Sequence, residues 1–117
     1  MEYRFRGWDA TGQKGWVYGD LVHNQKVTKT GLEPRVMVGG YEVVPESVGI
    51  WSGHKDIDGN DIYQGDFIRD GWDVISEVVW DDGDAGLYLL KDRIYSTFMD
   101  IEYEYMKIVG DKFSGLK

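Results

Sequence analysis

The sequence predicts a mainly β protein, built of short antiparallel strands in a small barrel-like or sandwich architecture with little helix. Three observations predict it. Sixteen glycines stand against two prolines, beside five Trp, eight Tyr and four Phe. Aromatic and β-branched side chains suit a pleated, half-buried surface, and glycine supplies the positive φ that tight turns need. Turn signals recur every ~8–12 residues, the spacing of a small barrel or sandwich rather than of a layered α/β fold. Finally, no window keeps apolar residues at i, i+3, i+4 and i+7 through successive turns without a glycine breaking the pattern, so a long helix is not expected.

The elements follow in order. Tyr3-Arg4-Phe5-Arg6-Gly7-Trp8 alternates strictly, with Tyr3 and Phe5 on one face and Arg4 and Arg6 on the other, the mark of a strand with one wet side. Asp9–Gly15 is a turn and Trp16–Val22 a returning strand, so the two strands form a hairpin. From His23 to Glu33 the chain is polar, with Val27 and Leu32 its apolar residues, and reads as a long loop or an edge hairpin. Arg35–Val38 and Tyr41–Val44 are short strands around Gly39-Gly40. Pro45–Gly49 is expected to hold one helical turn, with Pro45 at its start. Asp58-Gly59 flanked by apolar residues signals a hairpin. Strands are expected at Ile62–Arg69, Val74–Trp80 and Leu87–Leu90, with turns at Asp70-Gly71 and Asp81–Asp84, and Tyr103–Val109 alternates again. Repeats, low-complexity tracts and linkers are absent from the sequence. The 117 residues read as a single domain, with an N-terminal β subregion 1–50 and a C-terminal small-barrel subregion 51–117.

Charge is spread unevenly within a net −8. Residues 1–35 hold six Lys/Arg against four Asp/Glu, while residues 36–117 hold seven against seventeen. The stretch Asp56 to Asp84 carries ten acids and one base, Arg69. Such a face repels phosphate backbones, which makes nucleic acid the less favoured partner. It suits a cationic partner, or it keeps a small domain in solution. The longest apolar runs fall far short of the ~20 residues of a membrane span, so no membrane association is expected. Met1–Arg6 lacks the apolar core of a secretory signal, and a cytoplasmic protein follows as the expectation. With no cysteine, a disulfide framework, a thiolate metal site and a Cys nucleophile are excluded.

Familiar chemistry is hard to assemble. Asp56-x-Asp58-x-Asn60 begins like an EF-hand loop, but its glycine falls at position 4 instead of 6 and position 12 is Phe67. A hairpin turn is the better reading. His23 and His54 lack further ligands at zinc spacing. A nucleophile elbow, a phosphate-binding loop and a dinucleotide fingerprint are all missing. Asp81, Asp82 and Asp84 alone say little about glycoside chemistry. The expectation is a protein that is not an enzyme and holds no cofactor or metal. Trp8, Trp16, Trp51 and Trp80 lie in apolar contexts and read as core or subunit-interface residues. Trp72 sits between Gly71 and Asp73 in a charged turn, where an exposed indole would serve a partner surface. Asp66, beside Gly65, reads as an acceptor of backbone N–H bonds.

Two blocks carry a resemblance. Tyr3-Arg4-Phe5-Arg6-Gly7-Trp8-Asp9 followed by Trp16-Val17-Tyr18-Gly19-Asp20-Leu21 resembles the opening of the YopX family of phage and prophage proteins. Val44-Pro45-Glu46-Ser47-Val48-Gly49-Ile50-Trp51-Ser52-Gly53-His54-Lys55-Asp56, running on to Gly59-Asn60-Asp61-Ile62-Tyr63-Gln64-Gly65-Asp66-Phe67-Ile68, resembles the family's longer block with its spacing kept. Ser47 and Ser52 stand where threonine is usual, and Gly7 where alanine is common. The resemblance implies a mostly β, barrel-containing fold, a tendency to self-associate and a small temperate-phage accessory protein. It implies no activity and no catalytic residues.

Two binding surfaces follow as expectations. A homo-oligomer that binds a host or phage protein would use Trp72 with Asp70, Asp73, Asp81, Asp82 and Asp84. A nucleic-acid-binding alternative would use the less acidic N-terminal face, through Arg4, Arg6, Lys26, Lys29 and Arg35.

Overall fold

The computed structural model describes residues 4–83, 86–96 and 105–116. It is mainly β, with curled antiparallel sheets that include a half-barrel. Backbone packing divides the chain into two compact units, Met1–Ile50 and Trp51–Lys117. No described helix is long and apolar enough to cross a membrane.

The first unit opens with β1 (Phe5–Trp8) and β2 (Trp16–Gly19), a hairpin in which Trp8 faces Trp16 and Arg6 faces Tyr18. The expected strand Trp16–Val22 is broken: Gly19 takes a φ of 147°, and the chain leaves β2 to start β3 (Leu21–Thr28). β3 pairs along its whole length with β4 (Gly31–Val38), and β4 pairs in turn with the short β5 (Tyr41–Glu42). The polar stretch from His23 is therefore a long hairpin at a sheet edge, and its tip pairs Val27 with Leu32. A 3-10 turn at Pro45–Ser47, with Pro45 at its start, leads into β6 (Gly49–Lys55), whose first residues pair with β1 at Phe5 and Arg6. Val17, Val38 and Val43 form the core, with Phe5, Leu21, Val36 and Val48 packed against it. Gly7 is part of that packing. A Cβ at position 7 would stand 2.8 Å from Cβ, Cγ1 and Cγ2 of Val43, so the segment just after β5, bridged to the chain at Asp9, closes on β1 as far as a missing side chain allows.

In the second unit the end of β6 pairs with β7 (Asp61–Tyr63), with Trp51 opposite Tyr63 and Lys55 opposite Asp61. The hairpin expected around Asp58-Gly59 is thus present. β8 (Asp66–Arg69), β9 (Ile75–Asp81), β10 (Gly86–Lys91), β11 (Ile94–Ser96), β12 (Lys107–Asp111) and β13 (Gly115–Leu116) form one antiparallel sheet in the order β11-β10-β9-β8-β12-β13. Ile62, Ile68, Val78, Leu89 and Met106 are buried together, with Leu87 and Ile108 against them. Burying each such side chain stabilises the unit by about 1.5–3 kcal/mol.

The fold departs from the sequence reading in three further places. The strand Ile62–Arg69 is two strands, because Asp66 Oδ2 accepts the Tyr63 N–H (2.8 Å) and Gly65, at φ +94°, bends the chain between them. β11 was not expected at all. Its turn, Asp92-Arg93, has both residues at positive φ (50° and 68°) without a glycine to announce it. The last alternating strand begins at Lys107 instead of Tyr103; Tyr103 itself lies outside the described residues.

Candidate functional site

β8 and β9 are joined by the turn Asp70–Val74, and one carboxylate organises it. Asp70 Oδ1 accepts the N–H groups of Trp72 (2.8 Å) and Val74 (3.0 Å). The Asp70 N–H donates to the Val74 carbonyl (3.0 Å), and the Asp73 N–H donates to the Asp70 carbonyl (3.2 Å). Asp73 adopts a left-handed φ of 59°, a conformation Asp tolerates better than most residues. From below, Tyr105 lies against Gly71, where a Cβ would stand 3.1 Å from the Tyr105 Cβ. At the tip of this fixed turn Trp72 is 88% exposed, and Ile75 and Tyr105 are also exposed. An indole presented this way offers a large apolar surface with a polar edge, on a backbone that needs little further ordering to bind. The exposed pair Arg69–Asp73, at 4.0 Å, adds little to stability.

The other acidic residues of the expected partner surface are elsewhere. Asp81 ends β9 and Asp82 follows it, whereas Asp70, Trp72 and Asp73 precede the start of β9. Seven strand residues lie between the two turns, a separation of about 20 Å. The expected surface is therefore two separate patches. Asp84 lies outside the described residues. Asp82 Oδ1 accepts the Trp80 indole N–H at 2.9 Å. Trp80 is itself 43% exposed, so of the two expected places, core or subunit interface, it does not take the core: it stands at the end of β9, beyond Val78, opposite the partly buried Leu87. Trp8, Trp16 and Trp51 are half-buried, and the rings of Trp8 and Trp16 meet edge to face at 5.3 Å.

Four of the described acids are turned inward. Asp56 accepts the N–H groups of Asp58 and Asn60 on Oδ1 and of Ile108 on Oδ2. Asp111 accepts Phe113 and Ser114 N–H groups and the Ser114 hydroxyl. Asp9 takes the Thr11 hydroxyl (2.7 Å) and the N–H groups of Thr11 and Lys14. The Thr11 hydroxyl leads in holding the Asp9 carboxyl below its ordinary pKa, helped by those N–H groups and the Lys14 charge and opposed by burial. Asp56, Asp66, Asp111 and Asp9 are all buried. On β6, partial burial pushes the His54 imidazole below its ordinary pKa.

The segment Val44 to Ile68 builds the 3-10 turn, β6, the Asp56–Asn60 turn, β7 and the start of β8. Within it, the Ser47 hydroxyl donates to the Val44 carbonyl (2.6 Å) and accepts the Trp8 N–H (2.7 Å), which ties this segment to β1. A family model described as YopX protein matches residues 4–114. The chain belongs to the YopX family. No curated protein matches it.

In this YopX-family chain the expected basic face is reshaped. Arg6 is buried, its guanidinium 4.1 Å from the centre of the Trp16 ring, so the arginine side of β1 is not wet as expected. The reason is the hairpin: β2 returns Trp16 beside Arg6, and a cation gains by lying over an indole. Arg4 is half-buried just before β1. Lys26, Lys29 and Arg35 are brought together on the β3–β4 hairpin. Lys26 Nζ binds both carboxylate oxygens of Glu42 at 3.1 Å, and Arg35 Nε donates to Asn24 Oδ1 at 2.6 Å. Lys29 is exposed in the turn between β3 and β4.

Two exposed apolar residues at or next to this turn, Ile75 and Tyr105, are not evident from the sequence. Ile75 opens β9 on its exposed side, and Tyr105 precedes β12 instead of joining it. Tyr105 comes to the turn from far along the chain, a relation no local pattern encodes.

Proposed function

We propose that this YopX-family protein is a non-enzymatic protein–protein interaction module of phage or prophage origin, which self-associates and acts in the cytoplasm of a bacterial host. The observation that carries the reading is Trp72, 88% exposed at the tip of a turn clamped by Asp70. Trp is over-represented among the residues that dominate binding energy at interfaces, and a preformed turn lowers the ordering cost of using it. Ile75 and Tyr105 add exposed apolar surface at the same turn, and Asp73, almost fully exposed, gives it an acidic rim. The partner that fits is a protein with an apolar pocket bordered by basic groups. Asp81 and Asp82, at the far end of β9, lie outside this contact.

The test is a pull-down from nuclease-treated lysate with wild type and Trp72→Ala side by side, washed at low and high salt. Support is a protein held by wild type, lost with Trp72→Ala and weakened by salt. The same protein recovered equally by both would overturn the reading.

A further inference from the structure

We propose that two copies of this chain pair through the free edge of β3, antiparallel and in one register centred on Asn24. The inference rests on the reading that the chain self-associates, and it names the surface that does so.

β3 is the outermost strand of its three-stranded sheet. Its ladder with β4 decides which of its backbone groups are already used. The Gly39 N–H donates to the Asp20 carbonyl at 3.1 Å, just before Leu21 pairs with Val38. Hydrogen-bonded pairs alternate with non-bonded pairs along an antiparallel ladder. Val22, Asn24, Lys26 and Thr28 therefore bond to β4, while Leu21, His23, Gln25 and Val27 turn their N–H and C=O groups outward. The far side of β4 agrees: Val36, the partner of His23, uses its carbonyl there to accept the Val43 N–H at 3.0 Å. Among the described residues no strand occupies the β3 edge, and Val22, His23, Asn24, Gln25 and Val27 are exposed, Val27 at 84%.

Sheet edges are ordinarily guarded by charge, proline or a bulge. The free side of β4 has such a guard, since Pro34 is paired with Gln25 at a non-bonded position and its missing N–H would face away from β3. β3 has none. Its register is unbroken from Leu21 to Thr28, and Lys26, its one charged residue, is held by Glu42.

Reciprocity selects a second copy as the occupant. With Asn24 opposite Asn24 across a two-fold axis, every outward residue meets an outward residue: Leu21 meets Val27, His23 meets Gln25, and the reverse. No other register within β3 pairs all of them. It also covers the exposed Val27 with an apolar side chain. Charge permits the approach. Residues 1–50 hold six basic and six acidic residues, whereas residues 51–117 hold seven and fifteen and repel their own kind.

The chain has no cysteine, so a single introduced thiol reports a single distance. Asn24→Cys places the two thiols at a non-bonded pair with Cα atoms about 4.5 Å apart, within disulfide range. Val22→Cys places them four residue steps apart along the strands, about 13 Å, and out of range. Under mild oxidation of the full chain, Asn24→Cys is expected to give a covalent dimer at least about tenfold faster than Val22→Cys. Gln25→Pro removes one outward N–H and no bond to β4, and is expected to weaken association in sedimentation by about tenfold or more with an unchanged melting temperature. If wild type stays monomeric, the self-association reading itself fails. Should wild type associate while both cysteine variants cross-link equally or not at all, this surface is wrong and self-association stands. Where Gln25→Pro does not fold, the cysteine pair decides.

Discussion

The carboxylate of Asp56 accepts the backbone N–H of Ile108 at 3.1 Å, across 52 positions of chain. Beside it the Ile57 N–H donates to the Met106 carbonyl at 2.8 Å. The turn between β6 and β7 is thereby fastened to the start of β12, next to Met106 in the core. An aspartate that looks like the first ligand of a metal loop is the fastener between two distant pieces of backbone.

Replacing Asp56 by alanine leaves the N–H groups of Asp58, Asn60 and Ile108 without their acceptor. Each buried donor left unsatisfied costs about 1–3 kcal/mol, and all three bonds are partly buried. The expected result is a lower urea midpoint with an unchanged slope. Asp56→Asn keeps one oxygen acceptor and should lie between alanine and wild type.

Asp66 is tested in the same way. Asp66 is 1% exposed and holds the Tyr63 N–H at 2.8 Å. Both Asp66→Ala and Asp66→Asn are expected to lower the melting temperature, alanine more, by about 1–3 kcal/mol at the midpoint. A wild-type melting temperature for both would remove the structural role.

Acid should destabilise the protein in two steps. The His54 pKa is lowered by burial, so the unfolded chain binds the proton first and stability falls as pH drops through about 6.5. His54→Gln is expected to flatten the melting temperature between pH 7.5 and 5.5. The Asp9 pKa is lowered mainly by the Thr11 hydroxyl. Its contribution is complete above about pH 4 and is lost below it. Thr11→Val should shrink that second step and leave the first unchanged.

Trp72 and the geometry that presents it can be separated. Asp70→Ala keeps the indole but frees the N–H groups of Trp72 and Val74. For a partner identified with wild type, Asp70→Ala is expected to weaken binding about tenfold or less through lost preorganisation, and Trp72→Ala more than that. Calorimetry on the two variants, with circular dichroism to check the fold, reads the difference. Equal binding by wild type and Asp70→Ala would mean that the clamp does not matter to recognition.

The fold was legible where chemistry is local. Gly39-Gly40, Pro45 and Asp58-Gly59 each announced a turn that is present, and the core residues Ile62, Ile68 and Val78 fell in segments read as strands. β3 and β4 were harder to read because most of their residues on both faces are exposed, which erases the alternation a half-buried strand would show. The exposure of Trp72 was legible in its charged turn, and that of Ile75 and Tyr105 was not. Sequence order alone does not say whether the acidic stretch forms one surface, because it hides that β9 separates its two turns and that Asp56 and Asp66 point inward.

The contact between Gly7 and Val43 has a consequence for descent. A methyl at position 7 would need the space that Val43 fills, so the two positions are expected to change together. In YopX relatives that carry alanine at the first position, the second is expected to hold a smaller residue or to have drawn its backbone away. Lineages crossing between the two states would pass most easily through the change at 43 first, since a shortened side chain there leaves a gap while an added one at 7 meets a wall.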